Sequence, residues 1–151
     1  MNADQPESWT DDPFTRSSYR FASIDDYTKA SGDPSQASLD TILAATKRVR
    51  AYKMGTKTPL LDTSLPAALQ SLSDALRINE GPYGTCACAG ADVLEFIDEA
   101  GQVVLLLGIH HGQSIRWNVW TTDAKLRSGQ LLLNWLNHYS SQSKAAPFDS
   151  N

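Results

Sequence analysis

At 151 residues, with 41% apolar and 20% charged side chains, the chain has the size and composition of one compact globular domain, enough to bury roughly 70% of its unfolded surface. No apolar run approaches the roughly 20 residues of a membrane span. A net charge of −4 and a pI near 5.2 argue against a nucleic-acid binder, which usually shows a basic stripe, and suit a basic partner. The start, Met1-Asn2-Ala3-Asp4-Gln5, lacks the basic region and apolar run of a secretory signal. The expected compartment is therefore the cytoplasm, where the two cysteines stay reduced.

Residues 1–36 form a polar arm rich in Ser, Asp, Thr and Pro that nevertheless carries Trp9, Phe14, Tyr19, Phe21 and Tyr27. So many aromatics in a polar stretch predict an arm that docks. Ser23 before Asp25 and Asp26 supports a turn or two of helix, which Asp33-Pro34 ends. Ser38 is the expected cap of a short helix with Leu39, Ile42 and Leu43 on one face, stopping before Lys47. From Lys47 to Met54 two apolar sets alternate among Lys47, Arg48, Arg50 and Lys53. That pattern predicts an edge strand at 47–54 whose cations discourage edge-to-edge pairing, with phosphate or nucleic-acid contact as the alternative use of the basic strip. Ser64 then precedes Leu65, Leu69, Leu72 and Leu76 at helical spacing, a helix over 65–78 stopped by Asn79 and Gly81.

The next stretch predicts a four-stranded antiparallel meander over about 83–119. Its turns fall at Gly90 and Asp92, at Asp98-Glu99-Ala100-Gly101, and at His111-Gly112. The continuous run from Val103 to Ile109 reads as an interior strand covered by helices. Ile115, Trp117 and Val119 alternate with Ser114, Arg116 and Asn118, so the first set is expected in the core. Ser128 caps a last helix, 129–139, striped by Leu132, Trp135, Leu136 and Tyr139, before a loose tail at 141–151. The class is α+β, with one domain over 37–140.

Alternate turns of a meander lie at one end of the sheet, which gathers Cys88, Asp92, His110 and His111. Cys86 and Cys88, two apart on a strand, point both thiols to one face. Zinc would draw its ligands from Cys86, Cys88, His110 and His111 or Asp92, although a strand between the Cys and His segments stretches such a site. No cofactor is the default expectation, with small buried cysteines and turn histidines making ordinary hydrogen bonds. A nucleophilic cysteine with a histidine base and Asp92 as orienter is the enzymatic alternative, without any nucleophile elbow or phosphate loop. Arg116 can clamp an anion or pair internally with Asp123, and His138 is expected to face a helix dipole.

Cys86-Ala87-Cys88-x-Gly90-x-Asp92, His110-His111-Gly112-x-Ser114-Ile115-Arg116-Trp117, Asp123-Ala124-x-Leu126 and Leu132-Leu133-x-Trp135-Leu136 together resemble a family of small uncharacterised bacterial proteins. The resemblance covers about Arg48 to Tyr139 and leaves out the amino-terminal third. It implies a bacterial cytoplasmic setting, in which such proteins neutralise toxins or regulate partners. The expected function is a non-catalytic protein-binding module of immunity type, presenting Asp92, His111, Gln113 and Arg116 to another bacterial protein. A small metal- or thiol-dependent hydrolase is the alternative, and the oligomeric state is left open.

Overall fold

The structure, a computed structural model, describes residues 32–53, 56, 58–85, 92–117 and 119–149, with side chains as far as 142. The expected helix near Ser23 and both cysteines lie outside the described residues. The first helix, α1 (Gln36–Ala45), is capped by Ser35, whose hydroxyl accepts from Ser38 N at 3.3 Å. It therefore begins earlier than a Ser38 cap would place it. Ser38 instead donates back to Ser35 O at 2.8 Å. The next helix, α2 (Pro66–Ala75), starts without a side-chain cap because Pro66 fits the first helical position, where no amide proton is needed. Leu65 thus falls outside the helix and is exposed, and Ala68, Leu72 and Ala75 form the inward stripe. The last helix, α3 (Gly129–Asp149), is capped as expected, Leu131 N donating to Ser128 Oγ at 3.3 Å. It runs ten residues past 139, since nothing from Ser140 to Ala146 breaks a helix and Pro147 falls only in its last turn.

Seven strands form one antiparallel sheet: β1 (Thr46–Lys53), β2 (Pro59–Thr63), β3 (Ile78–Gly84), β4 (Asp92–Asp98), β5 (Val103–His110), β6 (Ser114–Arg116) and β7 (Asp123–Leu126). Their order is β2-β1-β4-β5-β6-β7-β3. The meander is therefore β4 to β7, and two of its expected features change. β3 leaves it and pairs with β7 at the sheet's edge, with a register shift between Asn79 and Gly84. Pro82 and two positive-φ glycines, Gly81 and Gly84, are tolerated there but would spoil an interior ladder. Conversely β1, expected at an edge, lies between β2 and β4. Its cations do not bar pairing, because the neighbouring strands bring acids to meet them: Arg48 to Asp62 at 2.7 Å, and Arg50 to Glu95 at 2.9 Å.

Directly opposed residues of antiparallel strands share a face, so the register sorts the sheet into two sides. One carries Val49, Ala51, Leu61, Leu94, Phe96, Leu107, Ile109, Ile115 and Ala124, all in one cluster with Leu39 of α1, Leu72 of α2 and Leu132, Trp135 and Leu136 of α3. All three described helices pack on this side. The other side carries Arg50 opposite Glu95, Tyr52 opposite Val93, Gly108 opposite Arg116, and His110 opposite Ser114. β6 is only three residues long, so Trp117 leaves the strand and is half-buried rather than central to the core. Trp120, 2% exposed, fills that role; its Nε1 donates to Ser38 Oγ at 3.2 Å, and its ring meets Trp117 edge-on at 5.3 Å.

Candidate functional site

The His111-Gly112 turn is the best-defined feature at the expected end of the sheet. Gln113 N donates to His110 O at 3.1 Å, closing a turn whose two central residues both have positive φ, 56° at His111 and 66° at Gly112. Turns of that hand match the twist of a hairpin, and glycine takes the conformation without steric cost. The turn is also held from behind. Leu126 N donates to Gln113 O at 2.9 Å, and a Cβ built on Gly129 would lie 1.9 Å from Gly112 O. Gly129 is therefore required where α3 begins, because its bare Cα rests on the turn's backbone. His111, Gly112 and Gln113 are all exposed on this braced tip.

Asp92 lies at the same end, opposite Ile109 of β5 and Lys53 of β1. Half-buried, it has its carboxyl pushed above the ordinary value by loss of solvent, with Lys53 pulling it partly back. Asp92 and His110 thus share an end of adjacent strands but not a face: Asp92 stands with Ile109 on the helix side, and His110 with Ser114 on the other. The expected Gly90 turn lies outside the described residues, and β3 pairs not with β4 but with β7, ending at Gly84 opposite Asp123 on the far edge. Cys86 and Cys88, the sulfur half of the expected zinc set, lie outside the described residues. Among the described residues no group of three or more His, Cys, Asp or Glu side chains is arranged to hold a metal. His110 is fully buried and His111 exposed, so the two imidazoles face different surroundings.

Arg116 does not belong to an exposed binding face. It is 4% exposed and meets Asp123, 1% exposed, through two parallel contacts, Nε to Oδ1 at 2.9 Å and Nη2 to Oδ2 at 3.1 Å. The planar guanidinium fits a carboxylate in this fork, and burial favours a partner over solvent. His138 is also corrected: α3 continues past it, so it sits within the helix, 3.1 Å from Gln142 and edge-on to Tyr139.

Two groupings escaped the sequence pattern. Glu95 is 4% exposed between Arg50 and the Tyr52 hydroxyl, 2.9 and 3.4 Å away. The Arg50 contact is an ion pair outside hydrogen-bond angles. Burial, followed by the charge of Glu95, pushes the Tyr52 hydroxyl above its ordinary value. The only signal was Glu95 interrupting an otherwise apolar Val93–Ile97. Gly129 was the other, and no pattern marks a glycine needed for close approach. At the opposite end of the sheet a cleft of about 470 Å³ is lined by Ala45, Lys47, Asp98, Glu99 and Ala100, and touches none of the expected site residues. No family model, curated protein or solved structure matches the chain.

Proposed function

We propose that the protein is a non-catalytic protein-binding module, of immunity type in a bacterial cytoplasm, whose contact surface centres on His111 and Gln113 with Asp92 at its rim. The observation that carries this reading is the braced turn: an exposed imidazole and amide on a backbone fixed by Gly112, Gly129 and the Leu126–Gln113 bond. Side chains held in their bound geometry lose little entropy on association, which is how a small polar tip gains affinity. A second reading, a metal- or thiol-dependent hydrolase, draws on Asp92, whose burial-raised carboxyl suits proton transfer, at the same end of the sheet as His110 but on the opposite face.

Calorimetric titration against the product of an adjacent gene tests the binding reading. His111→Ala with Gln113→Ala is expected to weaken a complex by about 2 kcal/mol, roughly thirtyfold in Kd, while leaving the melting temperature unchanged. A complex indifferent to both substitutions would move the surface elsewhere. Stoichiometric zinc in protein purified without added metal, lost in the Cys86→Ser, Cys88→Ser variant, would replace this reading with the hydrolase.

A further inference from the structure

The hairpin that carries the His111 turn has a short ladder. β6 is three residues long, pairing with β5 at Ser114, Ile115 and Arg116 and with β7 at Ser114 and Ile115. Few strand bonds therefore fix the tip, and the rest of its support comes from beyond β7. Only Arg127 and Ser128 separate Leu126, the end of β7, from Gly129, the start of α3. Leu126 N donates to Gln113 O at 2.9 Å, Ser128 caps α3, and Gly129 rests on Gly112 O. Arg127 turns the other way: its amide donates to Arg77 O at 2.8 Å and its Nε to Ile78 O at 3.2 Å.

Arg77 and Ile78 form the corner between α2 and β3, and α1 fixes that corner. Gln36 Oε1 accepts from Ile78 N at 2.7 Å, Gln36 Nε2 donates to Leu76 O at 3.1 Å, and the Arg77 guanidinium spans both carboxylate oxygens of Asp40. Arg77 Nε also donates to Ser73 O at 3.1 Å, which ties the corner back to the last turn of α2. The carbonyls that receive Arg127 therefore belong to backbone anchored on two helices. A carbonyl moves only with its backbone, so a donor seated there loses less freedom to its partner's motion than one bonded to a loose side chain. Arg127 is itself exposed, and in the sequence it reads as one more solvated cation between a strand and a helix.

We propose that Arg127 is a positioning residue for the His111 turn: it pins the strap from Leu126 to Gly129 against the α2–β3 corner, and the strap sets where the turn stands. Its own hydrogen bonds go to Arg77 and Ile78, so it acts through Leu126 and Gly129. The turn and α1 are thereby joined through one bracket, and a change at Asp40 reaches Gln113 by way of backbone bonds. The value of this for recognition rests on the binding reading above, whereas the positioning itself is a property of the free chain.

Amide hydrogen exchange of the full chain, with no partner present, reads the strap residue by residue. Arg127→Met keeps the stem and removes the guanidinium. It is expected to speed exchange at Leu126 and Gln113 about fivefold, the ratio that one ordinary hydrogen bond accounts for, with Phe96 and Leu107 unchanged. Arg127→Lys keeps a donor within reach of Ile78 O and is expected to stay within about twofold of the parent. Asp40→Asn, which weakens the bracket from α1, should speed Leu126 by a smaller factor than Arg127→Met. Unchanged rates at Leu126 and Gln113 in Arg127→Met would overturn the proposal, the strap then standing without the bracket. Equal acceleration at Phe96 and Leu107 would overturn it too, because Arg127 would then support the whole fold and not the turn. A lysine variant as fast as the methionine one would refute the hold through Ile78 O. Should Arg127→Met not fold, Asp40→Asn decides on the same amides. A complex indifferent to His111 and Gln113 would end the binding reading without altering any of these rates, so the two fail separately.

Discussion

On the helix side of the sheet Leu94, Phe96 and Leu107 are fully buried among aliphatic and aromatic neighbours, while one residue along the same strands the other side holds Glu95, Arg50 and His110. Apolar contact is non-directional, so the helix side depends on volume and tolerates repacking. Ion pairs depend on position. Slipping β4 by one residue would send Glu95 under the helices and Phe96 to the charged side, a penalty that pins register where hydrophobicity alone would not. The helix side therefore supplies most of the stability, and the charged side helps to select one alignment of the seven strands.

Phe96→Ala is expected to cause the largest loss, about 3 to 5 kcal/mol, from removing a wholly buried ring and leaving a cavity. Urea midpoints measure it, and no second substitution nearby should restore the loss. Breaking the Arg116–Asp123 pair tests the contrast. Asp123→Ala is expected to cost about 3 kcal/mol because it strands a buried guanidinium, whereas Arg116→Leu with Asp123→Leu should return close to the parent, desolvation of both charges having been removed together. A double variant as unstable as the single one would mean that the pair is worth far more than its desolvation, and that the charged side carries stability as well as register.

Gly129→Ala comes next, at about 1 to 3 kcal/mol, since the added methyl meets the Gly112 carbonyl and the turn or α3 has to move. Backbone shifts at residues 110–113 are its expected signature in amide spectra, whereas an unshifted turn would show that α3 gives way alone. The variant also connects packing to the proposed function, because a displaced turn carries His111 and Gln113 with it.

How much of this was legible in the sequence depended on whether a feature is local. The α+β class, the β4–β5 and β5–β6 turns, and the Ser128 cap follow from glycines, Asp98 and side-chain periodicity within a few residues. Asp92 and the histidines do share an end of the sheet, but on opposite faces, because Asp92 stands opposite Ile109 rather than His110. What failed was non-local. The cations of β1 look like edge protection until Asp62 and Glu95 arrive from strands on either side. Ser114 and Arg116 look solvent-facing until the second face proves to be enclosed. Trp117 looks central because alternation was extended past a strand that ends at Arg116.

The smallest effect, and the one that most directly sharpens the contrast between the faces, is expected at Asp92. Unlike Asp40 and Asp62, whose carboxyls are held below the ordinary range chiefly by hydrogen bonds from Arg77 and Arg48, Asp92 is raised by burial, with Lys53 only partly compensating. The signs are therefore opposite. Asp40 and Asp62 contribute stability above the ordinary carboxylate value, and this is lost as pH falls through their lowered folded values. Asp92 binds its proton more tightly in the folded chain, so stability is lost as pH rises from the ordinary value of 3.8 through its raised folded value. Asp92→Asn removes that titration and should raise the urea midpoint modestly at pH 7, with the gain over the parent vanishing below the ordinary value, where Asp92 is protonated in both states. The two arginine-paired carboxylates are common to parent and variant, so their acid loss cancels in the difference. A parent more stable than Asp92→Asn at pH 7 would reveal a cation or ligand held at this carboxylate beyond Lys53, and would favour a chemical role for the His110 end of the sheet over a purely recognitional one.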